Sequence, residues 1–241
     1  MSSTAVWHEV ECGGYAADLP VWERLAAGAG RVLEFGCGTG RVTLRLASLS
    51  KEQELWAVDV DPSLVSALRA RAAERGVSVR AVCADVCSLD LGRKFELILA
   101  PMQLLQMLGS TAARCTALER VARHLSPGGR LAAALVEAAP ASPAGPAAAL
   151  PDVRELEGWV YSSLPVASLS DHGVLEIRRL RQAVSPDGAL TKEEHTDRLD
   201  ALSADALESE AKALGMQPAG RLEIPPADGY LGSTVVVLER P

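Results

Sequence analysis

The chain has 241 residues, 48% of them hydrophobic and 23% charged, with a formal net charge of −7. A chain of that length buries enough surface to need no disulfide or metal staple. Its acidity argues against a nucleic-acid surface, where Lys and Arg must neutralise phosphates.

In chain order, "AADLPVWERLAAGAG" predicts a helix: Leu19, Trp22 and Leu25 share a face, and Gly28 and Gly30 end it. "RVLEF" is a short apolar strand, and "RVTLRLASLS" returns to helical spacing. "ELWAVDV" is a second strand. "DPSLVSALRARAAERG" is a helix capped by Asp61, with Pro62 at its first position and Gly76 as its stop. "VSVRAVCAD" and "FELILA" are the third and fourth strands. "TAARCTALERVARHLSPGG" is a helix ending at Pro-Gly-Gly, where His124 near its C-terminus suits the dipole. "RLAAALVE" is the fifth strand. This alternation predicts a parallel α/β sheet with helices on both faces and a ligand at the carboxyl ends of the strands.

The pattern then changes. "AAPASPAGPAAALPD" reads as an Ala/Pro-rich loop, with a small antiparallel sheet of about three strands after it, broken at "DHG" and "SPDG". "SADALESEAKALGM" is a helix capped by Ser203 and stopped by Gly215. "QPAGRLEIPP" and "GSTVVVLER" are two further strands. Four regions follow: an N-terminal lid and helix (1–30), an α/β core (31–137), the loop and antiparallel insert (138–202), and a closing helix with the last two core strands (203–241).

Five cysteines, without a CxxC pair, read as free thiols in a reducing cytoplasm. "MSSTAVWHEVECGG" lacks the basic-then-apolar pattern of a signal peptide, and no apolar run reaches the ~20 residues of a membrane span. No set of metal ligands is visible. An Ala/Arg/Leu-rich chain with few aromatics suggests a GC-rich bacterial source.

The stretch "VLEFGCGTGRVTLRL" narrows the chemistry. A phosphate-cradling P-loop needs Lys and Ser/Thr after its glycines, and here Arg41 and Val42 follow. A dinucleotide turn wants G-x-G-x-x-G, whereas Gly36, Gly38 and Gly40 form G-x-G-x-G. Glu34, just before the turn, would repel a pyrophosphate but suits an ammonium group. Asp59 follows Gly40 by about twenty residues, at a strand end from which an acid accepts hydrogen bonds from ribose hydroxyls. A ribose, an ammonium group and no phosphate describe S-adenosylmethionine.

"VLEFGCGTG", "AVDVD", "VCADVCSLDL", "FELILAP" and "HLSPGGRL" together resemble the successive motifs of class I S-adenosylmethionine-dependent methyltransferases. The insert and the region around Tyr15 resemble the small-molecule branch, notably sugar N,N-dimethyltransferases and glycine-type N-methyltransferases. The resemblance implies a Rossmann-like seven-stranded sheet whose last strand is antiparallel, with the β insert between strands five and six. It implies that Glu34, Gly36, Cys37, Gly38 and Gly40 meet the methionine end of the donor. Asp59 would take the ribose, Val60 would pack on adenine, and Asp85 and Val86 would read its edge. Ala100, Pro101 and Met102 would lie beside the methyl group, and Tyr15 would hold the methionyl carboxylate.

No residue is marked as a catalytic base. Tyr15, His8 and His195 are the candidates, with His8 in an N-terminal segment expected to be mobile and His195 on a solvated strand face. After the fourth strand only Gln103 and Gln106 offer polar groups. His172 is expected to be exposed in a turn. Arg178, Arg179 and Arg181 read as one charged sheet face. The expected activity is methyl transfer to N or O of a small molecule, in natural-product metabolism, without nucleic-acid or membrane partners. The alternatives are a methyltransferase-like protein with a non-methylating reaction, such as a cyclisation, or a non-enzymatic binding role. The insert's exposed face suggests a homodimer.

Overall fold

The computed structural model describes residues 2–137, 150–171, 173–227 and 230–241. Most of the expected Ala/Pro loop (138–149) and His172 lie outside the described residues. In chain order the elements are α1 (Ser3–Cys12), α2 (Leu19–Ala26), β1 (Arg31–Phe35), α3 (Arg41–Leu49), β2 (Glu54–Asp59), α4 (Pro62–Glu74), β3 (Arg80–Cys83) and β4 (Phe95–Ala100). A short 3-10 turn (Leu104–Gln106) leads to α5 (Thr111–His124) and β5 (Leu125–Leu135). The rest are β6 (Asp152–Leu156), β7 (Trp159–Asp171), β8 (Val174–Val184), β9 (Leu190–Asp200), α6 (Ala204–Ala213), β10 (Gln217–Ile224) and β11 (Ser233–Glu239).

Seven strands form one sheet in the order β10-β11-β5-β4-β1-β2-β3. β11 runs antiparallel to both of its neighbours, β10 and β5. The inner pairs, β5-β4, β4-β1, β1-β2 and β2-β3, are all parallel. β1 and β4 are almost continuously apolar because helices cover both faces of the sheet centre. Leu33, Phe35, Phe95, Ile98 and Ala100 are fully buried there. The predicted caps are in place: Asp61 Oδ1 accepts from the Ser63 N–H at 2.7 Å, and Ser203 caps α6 through the Ala206 N–H.

α5 passes into β5 at Leu125 without a separate turn, so Pro-Gly-Gly lies within the strand and not at the helix end. His124 is buried. Its Nε2 accepts from the Leu91 N–H at 3.0 Å, and its Nδ1 faces the Arg120 carbonyl at 2.7 Å. That pairing fixes a neutral tautomer with the proton on Nδ1, so the helix dipole is not what places it.

The insert has four strands, not three, in the order β6-β7-β8-β9. "ELEGWV" folds into a two-residue hairpin whose central residues, Glu157 and Gly158, take φ of 52° and 79°. Such a turn needs two left-handed residues, and Glu in place of the usual Asn or Asp hides it.

The N-terminal segment is the helix α1, packed between the insert and the core. On one side Trp7 meets Tyr161 edge-on at 5.4 Å, and Val6 and Val10 pack on Ala183. Glu11 accepts from Arg181 Nε and Nη2 and from the Ser163 hydroxyl, each at 2.7 Å. On the other side Glu9 pairs with Arg71 and accepts from the Thr39 hydroxyl. Strand alternation also divides the arginines. Arg179 and Arg181 are turned inward, while the half-exposed Arg178 is not.

Among the described residues no helix is long and apolar enough to cross a membrane. All five cysteines are free thiols.

Candidate active site

The carboxyl ends of β1, β2 and β4 meet at the glycine bend. Gly36, Gly38 and Gly40 take φ of 64°, 54° and 92°. β2 is stitched to the bend at two points. The Cys37 N–H donates to the Val58 carbonyl at 3.0 Å, and the Gly38 N–H donates to Asp59 Oδ2 at 2.8 Å. Asp59 Oδ1 accepts from the Asp61 N–H at 3.0 Å. Each carboxylate oxygen has two lone-pair sites, so the acid that shapes the bend has capacity left for further donors.

The Cys37 side chain points into the core beside Leu44 and Leu68, and burial pushes its thiol well above the ordinary range. Only its backbone lies at the bend. Val60, next to Asp59, is 69% exposed, an apolar side chain without a cover. Past the end of β3, Asp85 Oδ1 accepts from the Cys87 N–H at 2.8 Å, and Val86 is buried.

His8, from α1, lies directly on the bend. Its Nδ1 is 3.2 Å from the Thr39 hydroxyl, and a Cβ added to Gly38 would fall within its ring. Burial pulls the His8 pKa below its usual value, with Asp59 opposing that pull. Gly38→Ala is therefore expected to cost about 1–2 kcal/mol, from left-handed strain and displacement of His8. His8→Gly in the same chain relieves the overlap but not the strain. Chemical denaturation of the two variants reads the difference.

Glu34 is only 4% exposed and accepts from the Thr43 hydroxyl. Burial is the main cause that pushes its carboxyl up to about 7, against the Thr43 hydrogen bond and the charge of Arg41. Because the folded value exceeds the unfolded one, Glu34 holds its proton more tightly when folded. Its contribution to stability is complete below about pH 4.5 and is lost as pH rises through about 7. Glu34→Gln is expected to flatten that part of the profile. Thermal midpoints between pH 5 and 8 check it.

At the end of β4, Ala100 and the following Pro101 are buried. Met102 and Gln103 then take φ of 51° and 59°, a left-handed pair without glycine. Such a pair costs energy and turns the chain sharply at the sheet mouth. Gln103 donates to the Ser233 hydroxyl at 2.9 Å.

Tyr15 is buried and stacks on Tyr230 at 4.5 Å, with the Arg41 guanidinium 5.2 Å from its ring centre. Arg41 is held by a buried pair with Asp18, Nη2 to Oδ2 at 2.7 Å. The Tyr230 hydroxyl lies 2.6 Å from the Glu11 carbonyl and 3.0 Å from Asp152 Oδ1. Burial raises both the Tyr230 hydroxyl and the Asp152 carboxyl above their ordinary pKa values. His195 on β9 faces Arg179 in register, with its Nε2 3.2 Å from Asp197 Oδ1.

The three candidate bases thus occupy different places. His8 is on the bend, Tyr15 is between bend and insert, and His195 is on the insert. Tyr230, Asp152, Arg41 and Asp18 were not expected from the sequence, because their partners are remote in the chain. Among the described residues no group of three or more His, Cys, Asp or Glu could hold a metal ion.

Residues 32–129 match the family model of a methyltransferase domain. A curated relative, ribosomal RNA small subunit methyltransferase C of Salmonella choleraesuis, is 35% identical over 102 residues, 42% of this chain and 30% of its own length. The chain thus spans about a third of the curated relatives it matches. Among solved structures, the sugar N-methyltransferase KedS8 from a Streptoalloteichus species superposes with a TM-score of 0.73 at 22% identity, covering 99% of this chain and 93% of its own. CalS10, an amino pentose methyltransferase from Micromonospora echinaspora solved with S-adenosylmethionine, gives 0.71 at 19%, covering 100% and 98%. Residues 32–129 are thus similar to a methyltransferase domain, and the fold of the whole chain is shared with KedS8 and CalS10.

Proposed function

We propose that this chain, whose residues 32–129 match a methyltransferase domain, transfers a methyl group from S-adenosylmethionine to a nitrogen or oxygen of a small molecule in the cytoplasm of a bacterium. One observation carries the reading. The glycine bend is tied to a carboxylate, Asp59, beside the uncovered Val60, and Arg41 near the bend is committed to Asp18. That mouth suits a nucleoside with a cationic tail better than a polyphosphate.

The residues fit the donor. Asp59 would accept from the ribose hydroxyls through its remaining lone pairs. Val60 would lie on the adenine, and Asp85 and the Val86 N–H would meet its edge. Gly36, Gly38 and Gly40 would present their backbone to the amino-acid tail, and the His8 ring, which lies against Gly38, would give way to it. Glu34 and Tyr15 would face that tail, and Ala100, Pro101 and Met102 would lie at the methyl group. When bound, the donor supplies a methyl already activated by a sulfonium charge. The chain's contribution is then alignment, for which held geometry supplies about 7–11 kcal/mol. α1 and the insert would cover the glycine bend, exclude water there and orient the acceptor, while Val60 stays open.

A small acceptor is favoured by that cover and by the acidic charge. The likeness to KedS8 includes the insert, covering 99% of this chain, whereas the ribosomal RNA relative matches 42%. A natural-product role is supported by CalS10, described as involved in calicheamicin biosynthesis. The free thiols support a reducing compartment.

The test is product analysis with a panel of amines and alcohols. S-adenosylhomocysteine formed in step with methylated product supports transfer. Product without it supports a non-methylating reaction, and neither supports a binding role. The insert's outer face exposes Val153, Val160 and Leu190, and we propose that it pairs with a second copy. Light scattering is expected to give twice the chain mass; the single-chain mass refutes it.

A further inference from the structure

We propose that Arg179, on the inner face of the insert, is a specificity-determining residue that binds two separate neutral oxygens of the acceptor and, with Asp152 and Asp197, excludes anionic acceptors. This rests on the methyl-transfer reading above.

The Arg179 side chain is only 14% exposed, and its Nε and Nη1 are sealed from solvent with no hydrogen-bond partner among the described residues. The surrounding buried charges are served. Glu11 has Arg181 and Ser163, and Arg41 has Asp18. An unmade hydrogen bond to a buried polar group is costly, so such a pair of donors marks a place where a ligand supplies the acceptors. The place is apt. From the glycine bend, contacts run through Arg41 and Tyr15 to Tyr230, then to Asp152, which stands 3.6 Å from Arg179 Nη1.

The geometry names the ligand chemistry. Arg181 and Arg114 both grip a carboxylate with Nε and Nη2, the two nitrogens that share an edge of the guanidinium. The open donors of Arg179 are Nε and Nη1, which do not share an edge. One carboxylate cannot take both, whereas two oxygens of a hydroxylated ring can.

Charge points the same way. Asp197 lies 3.6 Å from Nε and Asp152 3.6 Å from Nη1. Each of the two donors thus has an acid beside it, and those two carboxylates repel a further anion.

The test uses the full chain loaded with S-adenosylhomocysteine and two probes of one ring, methyl β-D-glucopyranoside and its 6-carboxylate, methyl β-D-glucuronide. Calorimetry is expected to show the neutral probe binding at least about tenfold tighter. Arg179→Lys keeps the charge but loses the diverging donors. It is expected to leave S-adenosylhomocysteine affinity unchanged and weaken the neutral probe by at least about tenfold. Asp152→Asn with Asp197→Asn is expected to abolish the discrimination against the carboxylate.

Three results would overturn the proposal: no binding of the neutral probe to the loaded protein, equal or tighter binding of the carboxylate, or wild-type probe affinity in Arg179→Lys, which would leave an ion-pair role only. Should Arg179→Lys not fold, the wild-type comparison of the two probes still decides. Failure of the wild-type chain to take S-adenosylhomocysteine would instead defeat the methyl-transfer reading itself.

Discussion

Asp59→Ala is expected to weaken S-adenosylhomocysteine binding by about 100-fold or more. Hydrogen bonds to a charged group contribute roughly 1.5–3 kcal/mol each, and two ribose hydroxyls would be lost together. The same change unties the bend, since Asp59 holds the Gly38 N–H at 2.8 Å and the Asp61 N–H at 3.0 Å. Stability should therefore fall as well, by about 1–3 kcal/mol for the buried Gly38 donor. Asp59→Asn separates the two effects. Its amide keeps the shape but turns a donor toward either the Gly38 N–H or the Asp61 N–H and offers the ribose one acceptor fewer, so an intermediate loss of affinity is expected. Calorimetry, with a thermal midpoint for each variant, reads both quantities. Full affinity in a folded Asp59→Ala chain would remove Asp59 from the donor site.

Gln106→Ala is expected to destabilise the chain by about 3 kcal/mol. The side chain is buried and makes three bonds, donating to the Val136 carbonyl at 3.0 Å and the Asp200 carbonyl at 2.9 Å and accepting from the Val136 N–H at 2.8 Å. It therefore fastens the end of β5 and the end of β9 to the turn after β4. Three backbone groups lose their partner at once, each worth about 1 kcal/mol or more when left unmade. The urea midpoint should fall with an unchanged slope, while S-adenosylhomocysteine affinity stays close to wild type. Gln106 lies where an acceptor-side polar group was expected, and the structure gives it a tie within the fold instead.

The α/β core was legible because its signals are local. Strands buried on both faces read as apolar runs, and Asp61-Pro62, Ser203 and Gly215 mark helix ends within a residue or two. The glycine bend and Asp59 were legible because one strand-helix-strand unit fixes their separation. Gln106, Glu11 and Arg41 were not, since nothing near them in the chain hints at Val136, Arg181 or Asp18. α1 was hidden for a related reason. "STAVWHEVEC" is short and only weakly amphipathic between its Ser2 and Gly13 caps, and it packs on the insert and pairs with Arg71, neither visible locally. The Glu157–Gly158 hairpin was within reach of a stricter reading, since a strand-length run broken by "EG" is a turn signal.

The position of β11 bears on how the protein is made. β11 is the last strand in chain order, yet it lies inside the sheet, between β5 and β10. On the ribosome the outer edge of β5 thus stays bare until residues 233–239 emerge, and β10 has no place to dock before then. A bare apolar edge recruits other strands, and closing it late over a long stretch of chain is slow. The nascent protein is thus most prone to aggregate just before synthesis passes β11, when chaperone cover matters most.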